Sequence, residues 1–268
     1  MRNLNRTYPT VFKYILAVLL FGVALVVSTL VNQGIIKQYF PYLSCILLFA
    51  ATWFLFKKEG KTLQELGLNF SRRNFLFLPL GLLIGALALF GATYFRALYL
   101  GETIELSASL NYATILLAFY YILPQVMTEE LLFRGYLFKK TIEVSNVVMA
   151  NIIFSILFML IHVIDENVLN NKGMILMLAI SIPVGHLLFA TALLKSKTLF
   201  FPIGLHLGNN WATRHLISNT DSSDSIFYIN NPTTFETWTP FIITIILFNG
   251  FFLLVTYLIW KGDSILNS

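Results

Sequence analysis

Residues 118–138 read AFYYILPQVMTEELLFRGYLF, an apolar stretch that contains two adjacent carboxylates, Glu129 and Glu130. An ionisable side chain at the centre of a bilayer costs roughly 2.5–3.5 kcal/mol on insertion scales, and such groups therefore face a protein or water-filled interior. The other acidic residues fall in connections or near the ends of apolar runs. This stretch therefore predicts a membrane helix with one polar face that lines an internal site.

The composition of the whole chain supports a membrane protein. Of its 268 residues, 57% are hydrophobic and 12% charged, and the mean hydropathy is +0.75. A soluble domain carries about 25% charged residues, so this chain has too few to cover a water-exposed surface. The net charge of +5 does not indicate nucleic-acid binding, because the basic residues lie in short connections between apolar runs. The single cysteine, Cys45, lies in an apolar run and is interpreted as a packing residue.

The apolar runs predict an all-α, polytopic transmembrane bundle of about eight helices with an intramembrane polar cavity. No repeat or long linker divides the chain, so residues 1–268 are interpreted as a single membrane domain. Pro183 and Pro202 make the spans near them the least secure. The predicted spans are about 13–33, 39–56, 75–94, 111–133, 146–164, 173–194, 198–216 and 239–260.

The distribution of positive charge predicts the orientation. Most of the 18 Lys and Arg residues fall on one side if the spans alternate from an internal N-terminus, so both termini are expected in the cytoplasm of a multi-pass cell-membrane protein. Residues 57–74 then form the main cytoplasmic loop, either as a topology determinant alone or in contact with lipid headgroups. Residues 217–238, rich in Ser, Thr, Asn and Asp, are interpreted as an aqueous connection on the opposite side.

The two glutamates of the first stretch are predicted to differ. Glu130 and Arg134 lie four residues apart, on one helix face, and are expected to form a structural ion pair. Glu129 points about 100° away around the helix and has no partner in this interpretation. We therefore expect Glu129 to carry the function.

Two further pairs of polar or aromatic side chains recur at helical spacing. Phe158 and His162 lie four residues apart in the fifth span, and His206 and Asn210 do so in the seventh. A carboxylate near an imidazole can deprotonate water, and a second imidazole with an amide can bind an oxyanion, so the set suits hydrolysis. The same residue types could instead bind zinc, although the chain contains no HExxH sequence. His186, in the sixth span, is interpreted as an interior polar residue.

The order and spacing of these motifs resemble a known family. Residues 129–134 match EExxxR, residues 158–162 match FxxxH, and residues 206–210 match HxxxN. Together they are similar to the CPBP family of CAAX proteases and bacteriocin-processing enzymes, also called Abi, over residues 111–216. The resemblance implies an intramembrane endopeptidase in which a glutamate and a histidine activate water while a histidine and an asparagine form the oxyanion site. Carried over, the catalytic residues are Glu129, His162, His206 and Asn210, and the supporting residues are Glu130, Arg134 and Phe158.

Several questions stay open at this stage. The expected substrate is a membrane-associated peptide or lipidated protein. Membrane lipids are expected as further partners, and nucleic acid is not. No cofactor is expected; the alternative is a metalloprotease with zinc on Glu129, His162 and His206. A non-proteolytic membrane partner, such as a bacteriocin-immunity protein or a sensor-kinase regulator, is the second hypothesis, and a small transporter is the third.

The depth of the motifs presents a geometric problem. At 1.5 Å per residue, Glu129 and His206 both lie roughly 15 Å from the predicted cytoplasmic ends of their spans, whereas His162 lies nearer the opposite side. Straight spans therefore do not bring the three motifs to one level. Either the segment 141–150 is largely cytoplasmic, or the helices are strongly tilted or broken.

Overall fold

The computed structural model describes residues 10–262, and these form a helical bundle with a small sheet at one end. Arg2 and Arg6, which contribute to the predicted orientation, lie outside the described residues, and the cytoplasmic placement of the termini stays a prediction. The helices are α1 Thr10–Val31, α2 Gly34–Tyr39, α3 Leu43–Lys58, α4 Arg72–Leu100, α5 Tyr112–Arg134, α6 Tyr136–Val144, α7 Val147–Val163, α8 Glu166–Leu169, α9 Lys172–Ser196, α10 Phe200–Trp211 and α11 Trp238–Lys261. The strands are β1 Thr103–Leu106, β2 Ile217–Ser218 and β3 Phe227–Asn230.

The chain is a multi-pass membrane protein, as its composition predicted. Within residues 10–262, five segments are long and apolar enough to cross a bilayer: α1, α4, the α5–α6 segment, α9 and α11, with α7 as a shorter apolar helix. Large apolar side chains also point outward along these helices, such as Leu19, Leu116 and Ile156, exposed to 60%, 65% and 49% respectively. An exposed apolar surface of this kind suits contact with lipid tails.

The predicted spans correspond in order to α1, α3, α4, α5, α7, α9, α10 and α11, but the seventh is much shorter than expected. Helix α10 has 12 residues and ends at Trp211, where a π-helical turn, Ala212–Leu216, replaces the rest of the predicted span. Its residues 201–208 are all buried, and it contacts α4, α5 and α9. A helix surrounded by protein does not need the ~20 residues of a lipid-facing span.

The prolines interrupt the helices less than predicted. Helix α9 continues through Pro183, and Pro202 occupies the first turn of α10. Proline is tolerated in the first turn of a helix because the backbone N–H groups there have no intrahelical acceptor. The doubt about these two spans was therefore misplaced. The seventh stays helical through Leu216, with a π-helical turn in place of the last five residues of the predicted α-helix.

The segment 217–238 contains strands that the sequence interpretation did not predict. Strand β3 pairs antiparallel with β1 and parallel with β2, in the order β1–β3–β2. Glu105 accepts hydrogen bonds from the Tyr228 hydroxyl at 2.9 Å and the Asn230 amide at 2.8 Å. The sheet therefore joins the α4–α5 connection to the α10–α11 connection at one end of the bundle.

Candidate active site

A break after α5 interrupts the helix that carries the glutamate pair. Helix α5 ends at Arg134, and α6 begins at Tyr136 beyond Gly135. A Cβ atom at Gly135 would overlap the carbonyl group of Leu131, so only glycine fits this bend. Of the two alternatives predicted from the sequence, the structure therefore contains a broken helix.

Aromatic contacts join the broken helix to α7. The guanidinium carbon of Arg134 lies 4.3 Å from the centre of the Phe158 ring. Four residues further along the chain, Phe138 packs edge-on against Phe154 with ring centres 5.6 Å apart. These two contacts indicate an antiparallel register. In this register His162, one turn beyond Phe158, lies on the same side as Glu130, one turn before Arg134.

Glu130 forms the buried ion pair predicted from the sequence. Its Oε1 accepts a hydrogen bond from Nη1 of Arg134 at 3.0 Å, and both side chains are fully buried. The same oxygen lies 2.8 Å from Nδ1 of His206. Because a carboxylate accepts, Nδ1 of His206 carries the proton, and Nε2 is the basic nitrogen of the neutral ring.

Glu129 has neighbours that the sequence interpretation did not predict. Its Oε1 accepts a hydrogen bond from the Gln125 amide at 3.2 Å, one turn earlier in α5. Its Oε2 lies 3.6 Å from Nε2 of His206, just beyond hydrogen-bond distance, and is a buried oxygen with no partner among the described residues. The prediction that Glu129 lacks a partner was therefore wrong, because Gln125 shares its helix face and α10 brings His206 between the two glutamates.

Glycines on α10 fix the position of His206. Gly204 and Gly208 lie on one face of the helix, and a Cβ at either position would overlap backbone atoms of α4 near Gly81 and Leu82. This small-residue contact lets the two backbones approach closely. His206 points about 200° away from Gly204 around the helix, so the face opposite α4 carries the imidazole toward α5.

Aromatic rings enclose the Arg134 guanidinium and the His206 imidazole. Phe158 lies against Arg134, and Phe189 of α9 lies 5.2 Å from the guanidinium carbon on another side. Phe189 also stacks on His206, with ring centres 4.7 Å apart and an interplanar angle of 17°. The rings shield the Glu130–Arg134–His206 contacts from solvent and lipid, which strengthens these polar contacts.

His162 and Asn210 lie at the edge of this group. Nδ1 of His162 donates to the Phe158 carbonyl at 2.8 Å, which leaves Nε2 as its basic nitrogen. Asn210 is half-buried, one turn beyond His206 on α10. The next residue, Trp211, donates to the Ile115 carbonyl at 3.0 Å and holds this end of α10 against α5. Thus Glu129, Glu130, Arg134 and His206 are joined by direct contacts, whereas no contact in the described structure joins His162 or Asn210 to the carboxylates.

Three contributing residues fall outside the three motifs. Gln125 could have been found from its four-residue spacing to Glu129, but His186 and Phe189 carry no local signal because their role depends on how α9 packs. His186 is 1% exposed, and neither ring nitrogen has a hydrogen-bond partner among the described residues.

The described side chains do not fit a zinc site as they stand. Within residues 10–262, no group of three or more His, Cys, Asp or Glu side chains is arranged to hold a metal ion. Glu129 and His206 approach each other, but His162 does not complete a set of three with them.

Comparison with known proteins identifies the domain that contains this site. Residues 111–212 match the family model described as type II CAAX prenyl endopeptidase, Rce1-like. Neither the curated proteins nor the solved structures gave a match. The matched range runs from just before α5 to just after α10 and includes all three motifs. Residues 111–212 of this membrane protein therefore match the Rce1-like CAAX protease family, the family that its three motifs resemble.

Proposed function

We propose that this chain is an intramembrane endopeptidase in which Glu129 activates a water molecule to attack a peptide bond. The observation that carries the proposal is the buried, unpartnered Oε2 of Glu129, which faces the basic Nε2 of His206 at 3.6 Å. A carboxylate oxygen without a partner in a polar pocket can accept the proton of a water molecule. The family match supports a protease reaction at this position.

In the proposed reaction, Glu129 takes a proton from water, assisted by Nε2 of His162. The water oxygen bonds to the carbonyl carbon of the substrate, and the electron pair of the C=O bond moves to the carbonyl oxygen. The C–N bond then breaks, and the leaving amine takes the proton from Glu129. No covalent enzyme intermediate is required.

His206 and Asn210 are proposed to stabilise the oxyanion. Glu130 accepts the Nδ1 proton of His206 at 2.8 Å, and a carboxylate in this position orients an imidazole and stabilises its protonated form. For this role, Nε2 of His206, which carries no proton in the neutral ring, first takes one from solvent. The resulting Nε2–H can then donate to the developing oxyanion, with the Asn210 amide as a second donor. Arg134 in turn balances the charge of Glu130 through their 3.0 Å hydrogen bond.

The proposed substrate is a peptide or lipidated protein held in the membrane. The described site lies among apolar helices, and the matched family is named for cleavage of prenylated CAAX proteins. A suitable probe is a farnesylated peptide ending in a CAAX sequence, reconstituted with the purified protein in liposomes. Comparison of peptides from cells that carry the native protein with those from cells that carry Glu129→Gln would identify the natural substrate.

The Glu129→Gln variant tests the proposed mechanism. The amide keeps the size of the side chain but cannot accept the proton of water, so we expect cleavage of the reporter peptide to fall by about 10²–10⁴-fold. Thermal unfolding should change little, because Oε2 of Glu129 has no partner to lose. Glu59→Gln makes the same change at a carboxylate whose partners are Tyr136, Lys140 and Lys13. Because none of these is a proposed catalytic residue, Glu59→Gln serves as the matched control and should cleave normally.

Cleavage by Glu129→Gln at the native rate would refute the mechanism. Elemental analysis of active protein, together with activity in the presence of chelators, would separately test the zinc alternative.

A further inference from the structure

His186 is a fully buried histidine that the proposed reaction does not use. It lies in α9, and its two ring nitrogens have no hydrogen-bond partner among the described residues. Leaving a buried polar group unpaired costs about 1–3 kcal/mol. An apolar ring such as phenylalanine would fill the same space without that cost, so the imidazole is expected to serve a polar role.

The surroundings of His186 place it beside Arg134. The His186 ring lies 5.9 Å from the Phe138 ring and 6.4 Å from the Phe158 ring, centre to centre. Phe158 also carries the Arg134 guanidinium on its face at 4.3 Å, so the same ring neighbours both side chains. Phe189, three residues after His186 and on the same face of α9, lies against the same guanidinium.

The unpaired atoms of this group are complementary. Nε and Nη2 of Arg134 are buried donors without acceptors, and Oε2 of Glu130 is a buried acceptor without a donor. A neutral imidazole has one acceptor nitrogen and one N–H. A bridging water supplies two donors and two acceptors and makes about three hydrogen bonds in buried sites. One water can therefore link a free N–H of Arg134 to the acceptor nitrogen of His186.

We propose that His186 is a positioning residue that accepts a hydrogen bond from Arg134 through a buried water and so holds the Arg134–Glu130–His206 chain in place. His186 contacts neither the water to be activated nor the substrate in this scheme. Its effect on cleavage rests on the proposed endopeptidase function, whereas its link to Arg134 does not.

A double-mutant cycle in thermal unfolding tests the link without an activity assay. His186→Phe removes both nitrogens but keeps a ring between Phe138 and Phe158. In the native background we expect the Tm to fall by about 2–4 °C, because Arg134 loses an acceptor. In an Arg134→Met background, where no cation needs the acceptor, the same change should leave the Tm unchanged or raise it. An equal loss in both backgrounds would show that the ring only fills space and would overturn the proposal.

Rescue by glutamine gives a second test that does not require Arg134→Met to fold. The side chain of His186→Gln keeps one acceptor and one donor group, so this variant should recover most of the Tm lost in His186→Phe. At saturating reporter peptide, His186→Phe should lower kcat by about 10-fold or more with little change in KM, because a misaligned site slows the chemical step. His186→Gln should restore most of this kcat.

The outcomes separate this inference from the proposed function. If His186→Gln were as unstable as His186→Phe, or if His186→Phe kept native kcat, the positioning role would be refuted. If Glu129→Gln cleaved normally while the unfolding cycle still coupled His186 to Arg134, the reaction mechanism would fail and the buried link would stand.

Discussion

Two pairs of glutamates in this protein occupy contrasting surroundings. At the end of α3, Glu59 accepts hydrogen bonds from the Tyr136 hydroxyl and the Lys140 ammonium, both at 2.7 Å, and pairs with Lys13 at 3.2 Å. Glu143, on α6, accepts a hydrogen bond from Lys140 at 2.8 Å and a second from Lys61. Every carboxylate oxygen of this first pair therefore has a partner.

In the second pair, on α5, only some of the carboxylate oxygens have hydrogen-bond partners. Glu129 and Glu130 each have one oxygen with a hydrogen bond, and the Oε2 atom of each is buried without a partner in the described structure. Arg134, the cation beside them, likewise keeps two unpaired nitrogens.

The difference in hydrogen bonding between the two pairs indicates that the first has a structural role and the second belongs to a reaction site. A carboxylate with a hydrogen bond to each oxygen contributes to stability, and its oxygens are less available to a substrate or to water to be activated. A buried carboxylate oxygen without a hydrogen bond lowers the stability of the fold, and such groups persist where the unpaired atom has a functional role. The Glu59–Glu143 pair is therefore expected to hold α6 to the preceding loop, and the Glu129–Glu130 pair to bind and react.

The largest expected effect comes from Arg134→Met. This change leaves the Glu130 carboxylate fully buried without its cation, and breaking a buried ion pair in this way costs about 3–5 kcal/mol in the free energy of unfolding. Chemical denaturation in detergent micelles would measure the loss. Cleavage should disappear as well, because Glu130 orients His206.

The double variant Arg134→Met/Glu130→Gln is the control for this effect. It removes both charges together and should recover part of the lost stability, since no uncompensated charge remains. A loss below about 1 kcal/mol for Arg134→Met alone would mean that the second pair is as well matched as the first.

A smaller effect is expected for Glu59→Gln. Burial raises the pKa of Glu59, but hydrogen bonds from Lys140 and Tyr136 and the contact with Lys13 outweigh it, so the pKa lies below its ordinary value. Hydrogen bonds to charged groups contribute about 1.5–3 kcal/mol, and a loss of that order is expected in denaturation. Cleavage should be unchanged, because the partners of Glu59 include none of the proposed catalytic residues.

The pH dependence of unfolding checks the same assignment. Because its folded pKa is depressed, Glu59 contributes stability that is fully present above its unfolded pKa and is lost as the pH falls through the folded pKa. The native protein should therefore lose stability between about pH 5 and pH 3, and Glu59→Gln should lose less over this interval. Identical pH profiles for the two proteins would contradict the assigned role.

Local spacing in the sequence predicted part of the candidate site. The Glu130–Arg134 pair is confirmed because residues four apart share a helix face, and hydrophobic runs predicted the helical membrane fold. The position of His206 between both glutamates could not be predicted, since it depends on the close glycine contact between α4 and α10. Only the three-dimensional register shows which carboxylate oxygen meets which ring nitrogen.

Long-range pairing accounts for what the sequence analysis missed in the fold. Strands β1 and β3 are separated by more than 100 residues, and neither carries a strong strand pattern in a chain that is otherwise helical. The predicted span 198–216 extends five residues beyond the end of α10, into the π-helical turn Ala212–Leu216, where Thr213, Arg214 and His215 are polar.

The smallest effect is expected for Lys61→Ala. This variant tests whether the first pair of glutamates can lose one hydrogen-bond partner with little loss of stability. Lys61 and Glu143 are 30% and 36% exposed, and an ion pair this accessible to water contributes about 0–1 kcal/mol, less at high salt. Glu143 would also keep its 2.8 Å partner, Lys140. Denaturation at low and high salt should therefore show a small, salt-sensitive loss and unchanged cleavage. A loss as large as that of Glu59→Gln would mean that the first pair is a single cooperative network, in which each partner is as necessary as Arg134 is to Glu130.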